Sequence, residues 1–232
     1  YLENVFYNSV SKIYDYIQSH IFDGDSIDNE VINLGFWPCG DRDGNPFVTT
    51  ETTLKVARKL RQSVLKNYYR DARKIKRRLS FSGVFNIISD IEARLYESCI
   101  SMDAPLQISQ EELLEKLIEI KQTIQEQHNN LFAEEVDSFI NKVKLFGFHF
   151  ATMDIRQDSR VHHEVFTNVV KELQQKGDQT FPANYLDLTS DEQIGVLAKI
   201  KGNINPEDLS EDMVVKTLGS IQAIKTIQKE NG

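Results

Sequence analysis

From Leu54 to Leu79 the apolar residues fall at Leu54, Ala57, Leu60, Val64, Tyr68, Ala72, Ile75 and Leu79. Steps of three and four sustained over this length trace one stripe of a single long helix. Thr49 supplies an N-cap oxygen, and Glu51 in the first turn suits the positive end of the helix dipole. Such a stripe demands a packing partner, so the chain must surround this helix with other elements. The segment also carries charge. Between Lys55 and Arg78 stand eleven basic residues against one acid, Asp71, a local charge of +10 inside a chain of net charge −8, which leaves −18 for the rest. Segregation of this kind implies either internal pairing or a face that binds anions.

Helical spacing recurs elsewhere. Val5, Phe6, Val10, Ile13, Tyr14 and Ile17 trace a helix within residues 2–20. Phe81 to Ser98 reads as another. Ser109 with Glu112 forms a capping box before Leu113, Leu114, Leu117, Ile120 and Ile124. Phe132 to Val143, Ser159 to about Gln175, and one or two closing helices within 207–229 complete the set. Phe22 to Asn29 is polar and turn-like, Gly177 to Pro182 breaks the chain, and Pro206 marks a further turn. Two segments differ. Val31 to Trp37 is a short apolar run that reads as a buried strand. In Leu145 to Ile155, Phe146, Phe148 and Phe150 alternate with Gly147, His149 and Ala151, the period of a strand. The expected fold class is mainly α, long helices around two short strands. Each strand runs into a charged segment, and barrel enzymes keep their sites at the carboxyl ends of strands. Two strands cannot close a barrel by themselves.

Composition narrows the function classes. At 232 residues, 40% hydrophobic and 27% charged, the chain is an ordinary globular sequence. No apolar run approaches the roughly 20 residues that span a bilayer. The first residues lack the basic and small-residue features of a signal peptide. Cys39 and Cys99 are too few for a disulfide framework, which points to a reducing, cytoplasmic setting and no membrane partner. There is no CxxC, no HExxH and no Walker lysine loop. The basic helix is a poor nucleic-acid platform, because Tyr68 lies on its apolar stripe. The start at Tyr1 instead of Met reads as a piece of a longer protein.

The chemistry concentrates in two places. Residues 37–46, WPCGDRDGNP, set an Asp41-Arg42-Asp43 triplet on a turn made by Gly44, Asn45 and Pro46. Asp41-x-Asp43-x-Asn45 starts like an EF-hand loop, but Pro46 stands where that loop needs glycine and Glu51 falls one position early, so calcium is rejected. The plain alternative is an Asx-turn helix entry with Arg42 paired to a carboxylate. In the second place, Asp154 and Arg156 share a strand face by period two. They read equally as a local ion pair or as an arginine fork waiting for a carboxylate or phosphate. Trp37, the single tryptophan, reads as core. His149 reads as a satisfied core or barrel histidine. His162 and His163 point to different helix faces and cannot readily share a metal.

Both places carry a resemblance. Phe36 to Thr49, FWPCGDRDGNPFVT, is similar to the SWxGGDRDGNPxVT signature of the phosphoenolpyruvate carboxylases, departing at Pro38 and at Cys39, where glycine is typical. Met153 to His162, MDIRQDSRVH, resembles their LDIRQESxxH segment, with Asp158 for Glu. The resemblance implies a large, mainly helical enzyme around an eight-stranded barrel. It would carboxylate phosphoenolpyruvate with bicarbonate, giving oxaloacetate and phosphate, with magnesium or manganese. By this likeness Arg156 is the catalytic residue that contacts the substrate phosphate, and Trp37 lines the bicarbonate pocket. Asp41, Arg42, Asp43, Asn45 and Gln157 would belong to the substrate-binding surroundings. Residues 31–49 would then be strand plus loop, 50–144 a helical insertion, 145–159 strand plus DIRQ segment, and 160–232 helical. The family's catalytic-histidine and metal-binding segments are not in this sequence. The expectation is therefore an internal part of an oligomeric, anaplerotic enzyme, inactive and metal-free by itself and partnered by the rest of the same chain. The alternatives are a non-catalytic module binding anionic metabolites, or an RNA- or partner-binding helical domain.

Overall fold

A computed structural model describes residues 2–23, 32–43, 45 and 47–231. Among these residues there are eight α-helices and two short strands. The helices are α1 (Tyr7–Ile21), α2 (Thr50–Lys76), α3 (Phe85–Cys99), α4 (Gln110–Gln127), α5 (Ala133–Phe146), α6 (Ser159–Gln175), α7 (Ser190–Leu197) and α8 (Asp212–Asn231). The strands are β1 (Gly35–Phe36) and β2 (Thr152–Met153), paired in parallel with Gly35 opposite Thr152 and Phe36 opposite Met153. A mainly helical chain with two short strands is what the sequence pattern implied. The chain divides into two compact units. One holds residues 1–36, 55–153 and 227–232, and the other holds 37–54 and 154–226.

In the first unit the apolar stripe of α2 forms the centre. Leu60, Val64, Leu65, Tyr68, Ala72, Ile75 and Leu79 are buried in one cluster with residues of α1, α3, α4 and α5. Tyr68 is fully enclosed by Phe139, Phe148 and Tyr7. Its hydroxyl donates to the carbonyl of Gly147 at 2.6 Å, so the one polar atom of this ring is satisfied. Beside it, Tyr7 Oη and Lys142 Nζ each donate to Asp71 Oδ2 at 2.8 Å. Thus the single acid of the basic segment is held by a cation from α5. Much of the basic segment is paired internally, Arg58 with Glu230, Lys76 with Glu92 and Arg78 with Glu135. Arg73, Lys74 and Arg77 are exposed.

Both strands are shorter than the sequence suggests. Of Val31–Trp37 only Gly35 and Phe36 are strand, and Val31 lies outside the described residues, as do most of residues 22–29. The phenylalanine alternation misleads for a physical reason. Phe146 ends α5, Gly147 caps it at φ 51°, and Phe150 turns back at φ 70° with its N–H on the Phe146 carbonyl at 2.9 Å. Helix end and tight turn together bury Phe146, Phe148 and Phe150, the same three that a strand would bury. His149 is accordingly exposed in this turn and is not a core histidine. Ser109 caps α4 by accepting from Glu112 N, but the Glu112 carboxylate is taken by Arg94 at 2.6 Å, so the return half of the capping box is not made.

The second unit has thinner cores. Val165 and Val169 of α6 pack with Leu209 and Val214, while Val170 packs with Phe181 and Tyr185. Helix α7 falls within residues 160–232, expected to be helical, though apolar spacing gave it no bounds of its own. Thr189 and Glu192 form a complete capping box at its start, a signal present in the sequence as T-x-x-E.

Candidate functional site

The charged residues of the two signature segments lie in the second unit, beginning where β1 and β2 end in the sequence. The first turn is built by Trp37-Pro38-Cys39-Gly40. Gly40 N–H donates to the Trp37 carbonyl at 2.9 Å, and Asp41 N–H reaches the same oxygen at 3.2 Å. Cys39, third in the turn, has φ 65°. Pro38 fixes a negative φ at the second position, so the pattern is that of a type II turn, which wants proline second and glycine third. Pro38 therefore suits its place, whereas Cys39 holds a left-handed conformation with a Cβ attached. The Cys39 carbonyl accepts from Thr53 Oγ1 at 2.7 Å, which ties the turn to the start of α2.

Beyond this turn the two signature segments run side by side. Arg156 N–H donates to the Gly40 carbonyl, and Arg42 N–H donates to the Arg156 carbonyl, both at 3.0 Å, a parallel bridge between Asp41 and Arg156. Asp41 Oδ1 accepts from Asp43 N–H at 3.2 Å and Asn45 Oδ1 from Phe47 N–H at 3.1 Å, so the Asx-turn expectation holds at both residues. Gly44 and Pro46 lie outside the described residues. Thr49 caps α2, accepting from Thr52 N–H at 3.2 Å.

Extended backbone sends alternate side chains to opposite sides, which separates Asp41 from Arg42 and Arg156 from Gln157, while Asp43, in a turn, joins Arg42. On one side stands Arg156. Its guanidinium carbon is 5.9 Å from the ring centre of Trp37, and its nearest carboxylate is Asp154 at a loose 3.9 Å. Trp37 is 60% exposed, which overturns its reading as core. On the other side Arg42, Asp43, Asn45 and Gln157 line a cleft of about 580 Å³ with Asp158, Asp212, Lys216 and Thr217. Asp41 and Arg156 are not among its lining residues. Arg42 does not pair with a carboxylate as expected. Its Nη1 donates to the Lys216 carbonyl at 3.1 Å, and partial burial pulls its guanidinium below the usual arginine range. Sequence reading missed the α8 residues Asp212, Lys216 and Thr217, because nothing local marks a helix that arrives from so far along the chain. Asp158 caps α6 through Arg160 N–H at 2.8 Å, and the Arg160 guanidinium holds its carboxyl below the usual range.

No three His, Cys, Asp or Glu side chains among the described residues converge to hold a metal ion. No residue here is assigned to the divalent cation that the resemblance implies.

A family model for phosphoenolpyruvate carboxylase matches residues 1–104 and 96–232. The chain belongs to the phosphoenolpyruvate carboxylase family. Among curated relatives of that name, the protein from Corynebacterium glutamicum is 26% identical over 209 residues, covering 73% of this chain and 22% of the relative. The one from Nitrosomonas eutropha is 27% identical over 233 residues, covering 82% and 24%. That from Vibrio parahaemolyticus is 27% identical over 187 residues, covering 68% and 21%. The chain thus spans about a fifth to a quarter of the length of the curated relatives it matches. No helix among the described residues is long and apolar enough to cross a membrane.

Proposed function

We propose that the chain is a central part of a cytoplasmic enzyme that adds bicarbonate to phosphoenolpyruvate, giving oxaloacetate and phosphate. Family membership supports this reading, and the geometry around Arg156 carries it. A planar fork of five donors stands largely unspent beside an indole ring, its nearest carboxylate too far for a strong pair. The reaction passes through carboxyphosphate and an enolate, both anionic, so a guanidinium aimed at the phosphate stabilises what the substrate becomes. Arg156 takes the catalytic role, Trp37 lines the bicarbonate side, and the Asp41–Asn45 loop shapes the floor. Because Arg42 already holds the α8 backbone, its part is to fix that floor and not to touch substrate. Asp43, Asn45 and Gln157 contribute from the cleft side.

Strands β1 and β2 are then two neighbouring staves of an eight-stranded barrel closed by the remainder of a longer, oligomeric protein. That remainder supplies the catalytic histidine and the magnesium or manganese site, and the chain by itself does not turn over. Measurable metal-dependent carboxylation by the purified 232-residue chain would overturn this last point.

The decisive test is Arg156→Ala in the full-length enzyme. Losing charge-assisted hydrogen bonds of roughly 1.5–3 kcal/mol lowers activity at low phosphoenolpyruvate by about 10- to 150-fold. Arg156→Lys recovers only part, lacking the planar fork. If Arg156 merely pairs with Asp154, Arg156→Ala and Asp154→Ala lower the melting temperature alike and leave the Michaelis constant for phosphoenolpyruvate unchanged.

A further inference from the structure

We propose that Trp37 is a positioning residue whose indole face holds the Arg156 guanidinium ready for an anion, a role that rests on the reading of Arg156 as a phosphate grip. A flexible, exposed arginine samples many rotamers, and each anion it binds must first pay that freedom back. Here something limits the search. The guanidinium carbon lies 5.9 Å from the indole centre, within the range of a cation–π contact. The contact restrains the arginine without using its N–H donors, which a carboxylate partner would consume. Asp154, at 3.9 Å, takes little of them.

The backbone explains why the two side chains meet. The Trp37 carbonyl accepts from both Gly40 and Asp41, which locks the turn, and the Gly40 carbonyl accepts from Arg156. Two hydrogen bonds through Gly40 therefore link the tryptophan backbone to that of the arginine. Pro38 stiffens the second position of that turn. An exposed tryptophan has no packing reason to be here, since it is not part of either apolar cluster of its unit.

Trp37 is the only tryptophan in the sequence, so fluorescence excited beyond the tyrosine absorption band reports on it alone. Without ligand, Arg156→Leu should shift or brighten the emission of the purified chain, and Asp154→Asn should not. With inorganic phosphate as the probe, calorimetry should give Trp37→Phe a dissociation constant close to wild type. Trp37→Leu should bind about two- to five-fold more weakly, the size of an exposed cation–π contact. Circular dichroism confirms that the variants stay folded. Unchanged emission in Arg156→Leu overturns the contact. Equal phosphate affinity for Trp37→Leu and wild type, with binding lost in Arg156→Leu, overturns the positioning role while leaving the phosphate grip intact. Phosphate binding that is absent, or indifferent to Arg156→Leu, overturns the grip and this role with it.

Discussion

The core around Tyr68 and the turn around Cys39 follow opposite rules. In the first unit the rings of Tyr7, Tyr68, Phe139, Phe146, Phe148 and Phe150 each meet another ring, and the polar atoms of Tyr7, Tyr68 and Asp71 have partners. In the second unit the largest side chain, Trp37, is mostly in solvent, Cys39 holds a left-handed φ, and Arg156 keeps donors unspent. Burial and satisfied polar groups stabilise a fold. Left-handed strain at Cys39 destabilises it, while the donors of the half-exposed Arg156 are held by water and stay free for a ligand. The difference teaches where each kind of mutation will be felt: in stability for the first region, in binding for the second.

The strongest way to break this contrast is Phe146→Ala. Phe146 is fully buried, stacked on Tyr7 and packed against Phe150, each at 5.2 Å between ring centres. Its loss should cost about 3–5 kcal/mol in urea denaturation. A cost below about 1 kcal/mol would show that the core is not close-packed.

Alkaline pH probes the same core more gently. Burial, reinforced by the Asp71 charge, raises the pKa of both Tyr7 and Tyr68 well above the ordinary value. The native state therefore keeps these protons where the unfolded chain starts to release them, near pH 10. Stability should be flat below about pH 10 and fall as pH rises from there towards the raised native values. Tyr68→Phe should flatten that fall in melts taken from pH 8 to 11, and an unaltered slope would place the titration elsewhere.

The smallest effect belongs to the turn. Cys39→Gly removes the left-handed penalty of about 1–2 kcal/mol and adds about 0.5–1 kcal/mol of unfolded-state entropy. The variant should be slightly more stable than wild type, by up to about 1.5 kcal/mol, whereas Cys39→Val should be less stable. Thermal melts giving the reverse order would show that the turn carries no strain.

The sequence by itself determined the helical architecture, because the stripe on α2 and the caps at Thr49 and Ser109 depend on neighbours within a few residues. It also marked the two signature segments, whose charges on a stiff turn and beside a strand are visible in the residues alone. It could not tell a strand from a helix end around Phe148, since both bury alternate residues and periodicity records only burial. Nor could it show that Trp37 leaves the core, that Arg42 is spent on the Lys216 carbonyl, or that Arg156 stands apart from the cleft that Gln157 lines. Those facts depend on hydrogen bonds between the Gly40 and Arg156 backbones and on the arrival of α8. Contacts between residues more than a hundred positions apart leave no local periodicity to read, and only the tertiary structure decided them.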